Sequence, residues 1–190
     1  MPPGSVRATE AGPSPHAHGI IRLMVAPVPQ RPGPSDEAGK SLQETYAPNS
    51  TCYGCGPANE RGFRIRSIPH GDEVIAEWTP QPHHEAFPGA LNGGVIGTLM
   101  DCHSNWAAIW HMIQSQGLDH APATVTAEYQ VRLHRPAASG APILLRAKVI
   151  DSSEDRATVE CVLEAGGKAC ATFRGTFVAV KPGHPAYHRW

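Results

Sequence analysis

The chemistry in this chain is concentrated in one stretch, where a Gly93-Gly94 pair is followed, two helical turns later, by the carboxylate of Asp101. A carboxylate can attack an electrophilic carbon or take a proton from water. Paired glycines let a ligand approach the backbone closely. If a helix starts at these glycines, its unpaired N–H groups and the positive end of its dipole suit an anion or a polarised carbonyl. An electrophile cradle and a carboxylate on one element point to acyl chemistry. The same residues also fit a plainer role, a tight connection into a helix that carries a hydrogen-bonded Asp.

The elements that position these groups follow from periodicity. Val95, Ile96, Leu99, Met100, Trp106, Ile109, Trp110 and Ile113 keep helical spacing. They predict a largely buried helix from Asn92 or Gly93 to about Gln116, broken by the segment from Gly117 to Pro122. Asp101 lies inside this apolar run, where an ionised carboxylate is costly without a partner or a task. Trp106 and Trp110, spaced i, i+4, read as core packing with the acyl pocket as the other option. Before the helix, residues 63–68 and 73–79 read as strands joined at His70-Gly71-Asp72, and residues 80–89 read as loop. After it come four strands, 124–134, 142–151, 157–165 and 168–180, the first stopped by Pro136. In the third, Ala157, Val159, Cys161 and Leu163 share a face. The expected fold class is α+β, an antiparallel sheet wrapped around one long central helix.

Composition narrows the function. A net charge of −1 and the lack of a basic stripe argue against a nucleic-acid binder. No apolar run is long enough for a membrane span, and the N-terminus lacks the layout of a secretory signal, so cytoplasm is the expected compartment. Residues 1–48 are dense in Pro, Gly, Ser and Ala and are expected to be a disordered tail, within which Met24 could be an alternative start. The folded domain is expected over 49–181, with a short tail over 182–190. The five cysteines read as reduced thiols rather than a disulfide framework. Cys52-x-x-Cys55 could open a zinc site, but no second matching pair exists. Cys102-His103 and His83-His84, the only obvious supplements, have no familiar spacing. Neither a metal nor a cofactor is expected.

Several segments, in order, resemble the hotdog-fold acyl-CoA thioesterases of the phenylacetate-pathway, PaaI-like branch. That branch carries His-Gly-Gly, six residues, then Asp or Glu on the central helix. Here the corresponding residues are Asn92-Gly93-Gly94 and Asp101. The segment from Cys52 to Phe63 resembles a common opening of the branch, and His84-Glu85-Ala86-Phe87-Pro88-Gly89 resembles the loop before its motif. The segment from Thr124 to Pro136 resembles its next strand. The chain departs from the pattern at Asn92. An Asn can cap the helix, but a role that depends on His does not carry over.

The resemblance implies a hydrolase that cleaves an acyl-CoA to a carboxylic acid and CoA. Gly93 or Gly94 would polarise the carbonyl, Asp101 would be nucleophile or general base, and Thr126 would assist. A non-catalytic acyl-CoA sensing module and an acyl-carrier-protein thioesterase are the rival readings. CoA phosphates call for cations, and Arg132, His134 and Arg135 at a strand end are the candidates, with His84 reaching in from the loop. Gly93 and Asp101 lie about 12 Å apart along one helix. If both act on one thioester, a second copy of the chain must supply one of them. A homodimer is therefore expected, extending to a dimer of dimers, and the resemblance implies the same arrangement.

Overall fold

A computed structural model of the chain describes residues 39–187. The expectations for residues 1–38, Met24 included, and for residues 188–190 lie outside this range.

The central element is α2 (Gly93–Gln116). Asn92 starts it from extended backbone with a side-chain cap, and Gly117 ends it in the left-handed region at φ 66°, its N–H donating to Ile113 O. One side of the helix, including Leu99, Met100, Trp106, Ile109 and Met112, is fully buried. It packs on an antiparallel six-stranded sheet of β1 (Ile68–His70), β2 (Glu73–Trp78), β5 (Thr124–Leu133), β6 (Ile143–Ser152), β7 (Arg156–Ala165) and β8 (Lys168–Ala179). The spatial order is β1-β2-β6-β7-β8-β5. The shared face of β7, Ala157, Val159, Cys161 and Leu163, is buried as its alternation predicts. This is the hotdog arrangement. Among the described residues, β5 pairs only with β8 and forms one outer edge of the sheet, while β6 lies toward the other edge between β2 and β7.

The structure differs from the sequence reading at four places. The first strand is confined to Ile68–His70. Residues just before it bond to loops instead of a ladder, Phe63 N–H to Tyr53 O at 2.9 Å and Ile65 N–H to Gly54 O at 3.1 Å. The loop before the helix contains one turn of 3₁₀ helix (Pro82–His84) and a small hairpin of β3 (Glu85–Phe87) and β4 (Ala90–Leu91). Order begins before residue 49. A short α1 (Leu42–Tyr46) is started by a Ser41/Glu44 capping box and buries Leu42 and Gln43. The C-terminal segment is not wholly a free tail either, because Ala186 is buried. Low-complexity composition hid these short anchors, which are set by one or two buried side chains each. Among the described residues, no helix is long and apolar enough to cross a membrane.

Candidate active site

The helix start is held from both sides. Leu91 N–H donates to Ala137 O and Asn92 N–H to His84 O, each at 2.9 Å. The Asn92 side chain folds over the first turn, its Oδ1 accepting from Gly94 N–H at 2.8 Å and Val95 N–H at 3.4 Å. The Gly94 donor is thereby engaged. Gly93, at the first helical position, has no intrahelical partner for its N–H, and both glycines are exposed. A Cβ on Gly93 would meet Leu133 Cδ1 at 3.3 Å, so the helix start abuts the end of β5.

Asp101 lies further along, on the helix side that is not fully covered, in a half-exposed row with Gly97, Thr98 and Asn105. Thr126 Oγ1 donates to Asp101 Oδ1 at 2.9 Å. Thr126 stands where the β5–β8 register shifts, between Thr126 and Glu128. A bulge of this kind re-aims a side chain at the expense of one ladder position. Next along the row, Thr124 Oγ1 donates to Asn105 Oδ1 at 2.7 Å, so β5 grips the open side of the helix twice. Burial pushes the Asp101 carboxyl above the usual carboxylate range, the Thr126 hydrogen bond pulls it back, and Cys52 nearby adds to the rise when it is ionised.

The remaining candidates divide. His84 is a packing residue. Its ring lies 4.8 Å from that of Trp78 and 5.2 Å from that of Phe63, its Nδ1 accepts from Gln81 N–H at 2.9 Å, and its carbonyl fixes Asn92. Arg132, His134 and Arg135 are exposed at the far end of β5, with His134 Nε2 2.8 Å from Thr172 Oγ1. Six strand residues, about 20 Å, separate Arg132 from Thr126. Within one chain the structure therefore joins Asp101 to Thr126 and Gly93 to the basic strand end, and it keeps the two pairs apart. Cys52, Cys55 and Cys102 are weighed in the sequence reading and set aside for want of a familiar spacing, yet the structure brings these thiols together beside Asp101. Cys102 follows it directly, and Cys52 Sγ lies 3.8 Å from Cys102 Sγ.

Residues 88–172 match the Thioesterase superfamily, a span that holds Gly93, Asp101, Thr126 and the basic end of β5. The fold is the hotdog fold of that superfamily. A thioesterase superfamily protein from Shewanella loihica is similar at 27% identity and a TM-score of 0.54, over 66% of this chain and 98% of that one. The zebrafish thioesterase superfamily member 2 matches at 23% identity and 0.53, over 65% and 90%. The Escherichia coli PaaI protein of the phenylacetic acid degradation operon matches at 18% and 0.53, over 63% and 81%. No curated protein matches the sequence. The match to the Thioesterase superfamily over residues 88–172 supports thioester hydrolysis in general. The superfamily match begins after Cys52, Cys55 and His84, so it does not bear on those residues.

Proposed function

We propose that the protein is a cytoplasmic acyl-CoA thioesterase of the PaaI-like branch, working as a homodimer with two composite sites. The observation that supports it best is the separation just described. A half-buried carboxylate with one hydroxyl partner and a free helix N–H stand about 12 Å apart on a single helix. In an antiparallel pair of helices, Gly93 of one chain would meet Asp101 of the other. The edge strand β5 exposes Tyr129 and Leu133, and a long exposed edge with apolar side chains calls for cover.

In this reading the thioester carbonyl oxygen sits at Gly93 N–H, which stabilises the oxyanion as the carbonyl carbon becomes tetrahedral. Asp101, held by Thr126, supplies the oxygen nucleophile, either directly or by taking a proton from water. The C–S bond then breaks, and CoA leaves as a thiolate that takes up a proton. Water completes hydrolysis if an Asp101 anhydride formed first. Arg132, His134 and Arg135 sit beside the Gly93 end and supply charge for the CoA phosphates. Gly94, capped by Asn92, is not the donor.

Free-thiol release from short, medium, long and aryl acyl-CoAs, with wild type and Asp101→Asn side by side, tests the reading. Loss of turnover in a folded, dimeric variant supports it, and equal activity overturns the site. Single turnover in H₂¹⁸O separates the two chemical routes, since only direct attack labels the Asp101 carboxyl. Activity confined to acyl-carrier-protein thioesters would move the substrate to that class. A second reading, CoA-ester binding without turnover, draws on Asn92. Its side chain occupies one of two possible donors, and tight binding without thiol release would select it.

A further inference from the structure

Outside the hydrolytic groups, one cluster combines reactive side chains from distant parts of the chain. Cys52 and Cys55 lie on the loop before Phe63, and Cys102 lies on α2. Their three Sγ atoms lie within 4.8 Å of one another, with Cys52 and Cys102 separated by 3.8 Å. That distance is too long for a disulfide, whose sulfurs are about 2.0 Å apart. It equals the edge of a zinc–sulfur tetrahedron, about 3.8 Å for a Zn–S bond of about 2.3 Å.

The surroundings are built to hold the thiols in this arrangement. At Gly54, any Cβ would run into Cys102 Sγ, so glycine is what lets the loop approach the helix. At Gly56, a Cβ would strike the backbone of Cys52 and Ser50, and Gly56 N–H closes the turn onto Cys52 O at 2.8 Å. Trp106 Nε1–H donates to Cys55 Sγ at 3.3 Å, and a donor to a ligand sulfur is the outer-shell support that thiolate metal sites use. His103, the supplement suggested by sequence, is not available. Its Nδ1 is 2.9 Å from Ser67 Oγ and its Nε2 3.0 Å from Val74 O.

We propose that Cys52, Cys55 and Cys102 bind one zinc ion as three thiolates, with the fourth position taken by water or a small exogenous ligand. Binding would release the thiol protons and staple the Cys52–Gly56 loop to the helix turn that carries Asp101. The proposal stands independently of the hydrolytic reading, because it concerns metal content rather than turnover.

The test uses the full chain, expressed with zinc supplementation, purified under reducing conditions without chelator, and measured for metal by mass spectrometry. About one zinc per chain is expected, falling below about a tenth in Cys52→Ser and in Cys102→Ser, with Cys170→Ser keeping its zinc. Cobalt(II) added to stripped protein is expected to give thiolate-to-metal charge-transfer absorbance that both ligand variants lose. Zinc should raise the melting temperature of stripped wild type and leave Cys102→Ser unmoved. Circular dichroism establishes that each variant is folded, and Cys52, which is half-exposed, serves if Cys102→Ser is not. Reduced protein that takes up no zinc overturns the proposal. So does zinc that persists in folded Cys52→Ser, since the chain's eleven histidines could then be holding it adventitiously.

Discussion

Two ionisable side chains lie two residues apart on α2 and meet opposite environments. His103 is fully buried and completely partnered. Val74 O can only accept, so His103 Nε2 carries the proton and Nδ1 accepts from the Ser67 hydroxyl. Ser67 Oγ in turn accepts from Gln43 Nε2 at 2.9 Å, and Ser67 N–H donates to Gln43 Oε1 at the same distance. This chain of bonds runs from α1 through the helix to β2 and leaves no atom of the imidazole for other work. Burial holds the ring neutral, with its pKa down at about 4. Asp101 is half-exposed, has Thr126 as its hydrogen-bond donor, and faces the side where the helix is uncovered. A polar group that the fold completes serves the fold. One that the fold holds in place but leaves open is available for chemistry.

The largest expected effect comes from breaking the open member of the pair. Asp101→Asn should lower kcat by about 10²- to 10⁴-fold, with stability changed by less than about 1 kcal/mol. Gly93→Pro deletes the proposed donor at the one helical position where proline fits, and it should also abolish most activity. Mixing the two dead variants sharpens the comparison. Each heterodimer would regain one intact site, so about a quarter of wild-type activity should return if the sites are composite. No recovery in a mixture shown to contain heterodimers would place both groups in one chain's site and undo the dimer argument.

Breaking the closed member should do the reverse. His103→Leu leaves the Ser67 hydroxyl and the Val74 carbonyl buried without their partner. A loss of about 2–4 kcal/mol in urea unfolding is expected, with kcat per folded molecule unchanged. A stable variant with low kcat would mean that His103 belongs with Asp101. Smaller still, Asn92→Ala removes the helix cap and should cost about 1 kcal/mol, whereas Asn92→Gly should cost only a few tenths. No loss in either variant would show that the cap bonds to Gly94 and Val95 contribute little.

The same contrast explains what was legible in the sequence. α2 was readable end to end, because its apolar spacing, its Asn92 cap and its Gly117 stop all agree. The strands of the second half were readable because they alternate, as the buried face of β7 shows. Pairing was not, since alternation gives a strand's faces and not its neighbours, so β5 beside β8 had to be seen. Asp101 was conspicuous as a charge in an apolar run, and Thr126 was reached only through family resemblance. The packing of His84 was not legible, because its ring stacking depends on Phe63 and Trp78, which are distant in sequence. The cysteine cluster was only half legible for a related reason, since its members were in view but their meeting was not. Its third thiol comes from a helix about fifty residues away, brought in by glycines whose purpose only close packing reveals.

The last and smallest prediction adds a third titratable group on the same helix, intermediate between the two compared above. His111 is partly covered, with Nε2 2.9 Å from Ser152 Oγ, and burial lowers its pKa from the ordinary value of about 6.5. The folded chain therefore binds this proton less tightly than the unfolded chain does. Its contribution to stability is intact above about pH 6.5 and is lost as the pH falls below that value and the unfolded chain takes up the proton first. Solvent reaches the ring, so the effect should be only a few tenths of a kcal/mol. His111→Gln can keep a hydrogen bond to Ser152 without a titrating group. Between about pH 7.5 and about pH 5.5, its urea midpoint should fall less than that of wild type. An equal fall in both would mean that His111 titrates alike in the folded and unfolded chains, and that its partial burial carries no electrostatic cost.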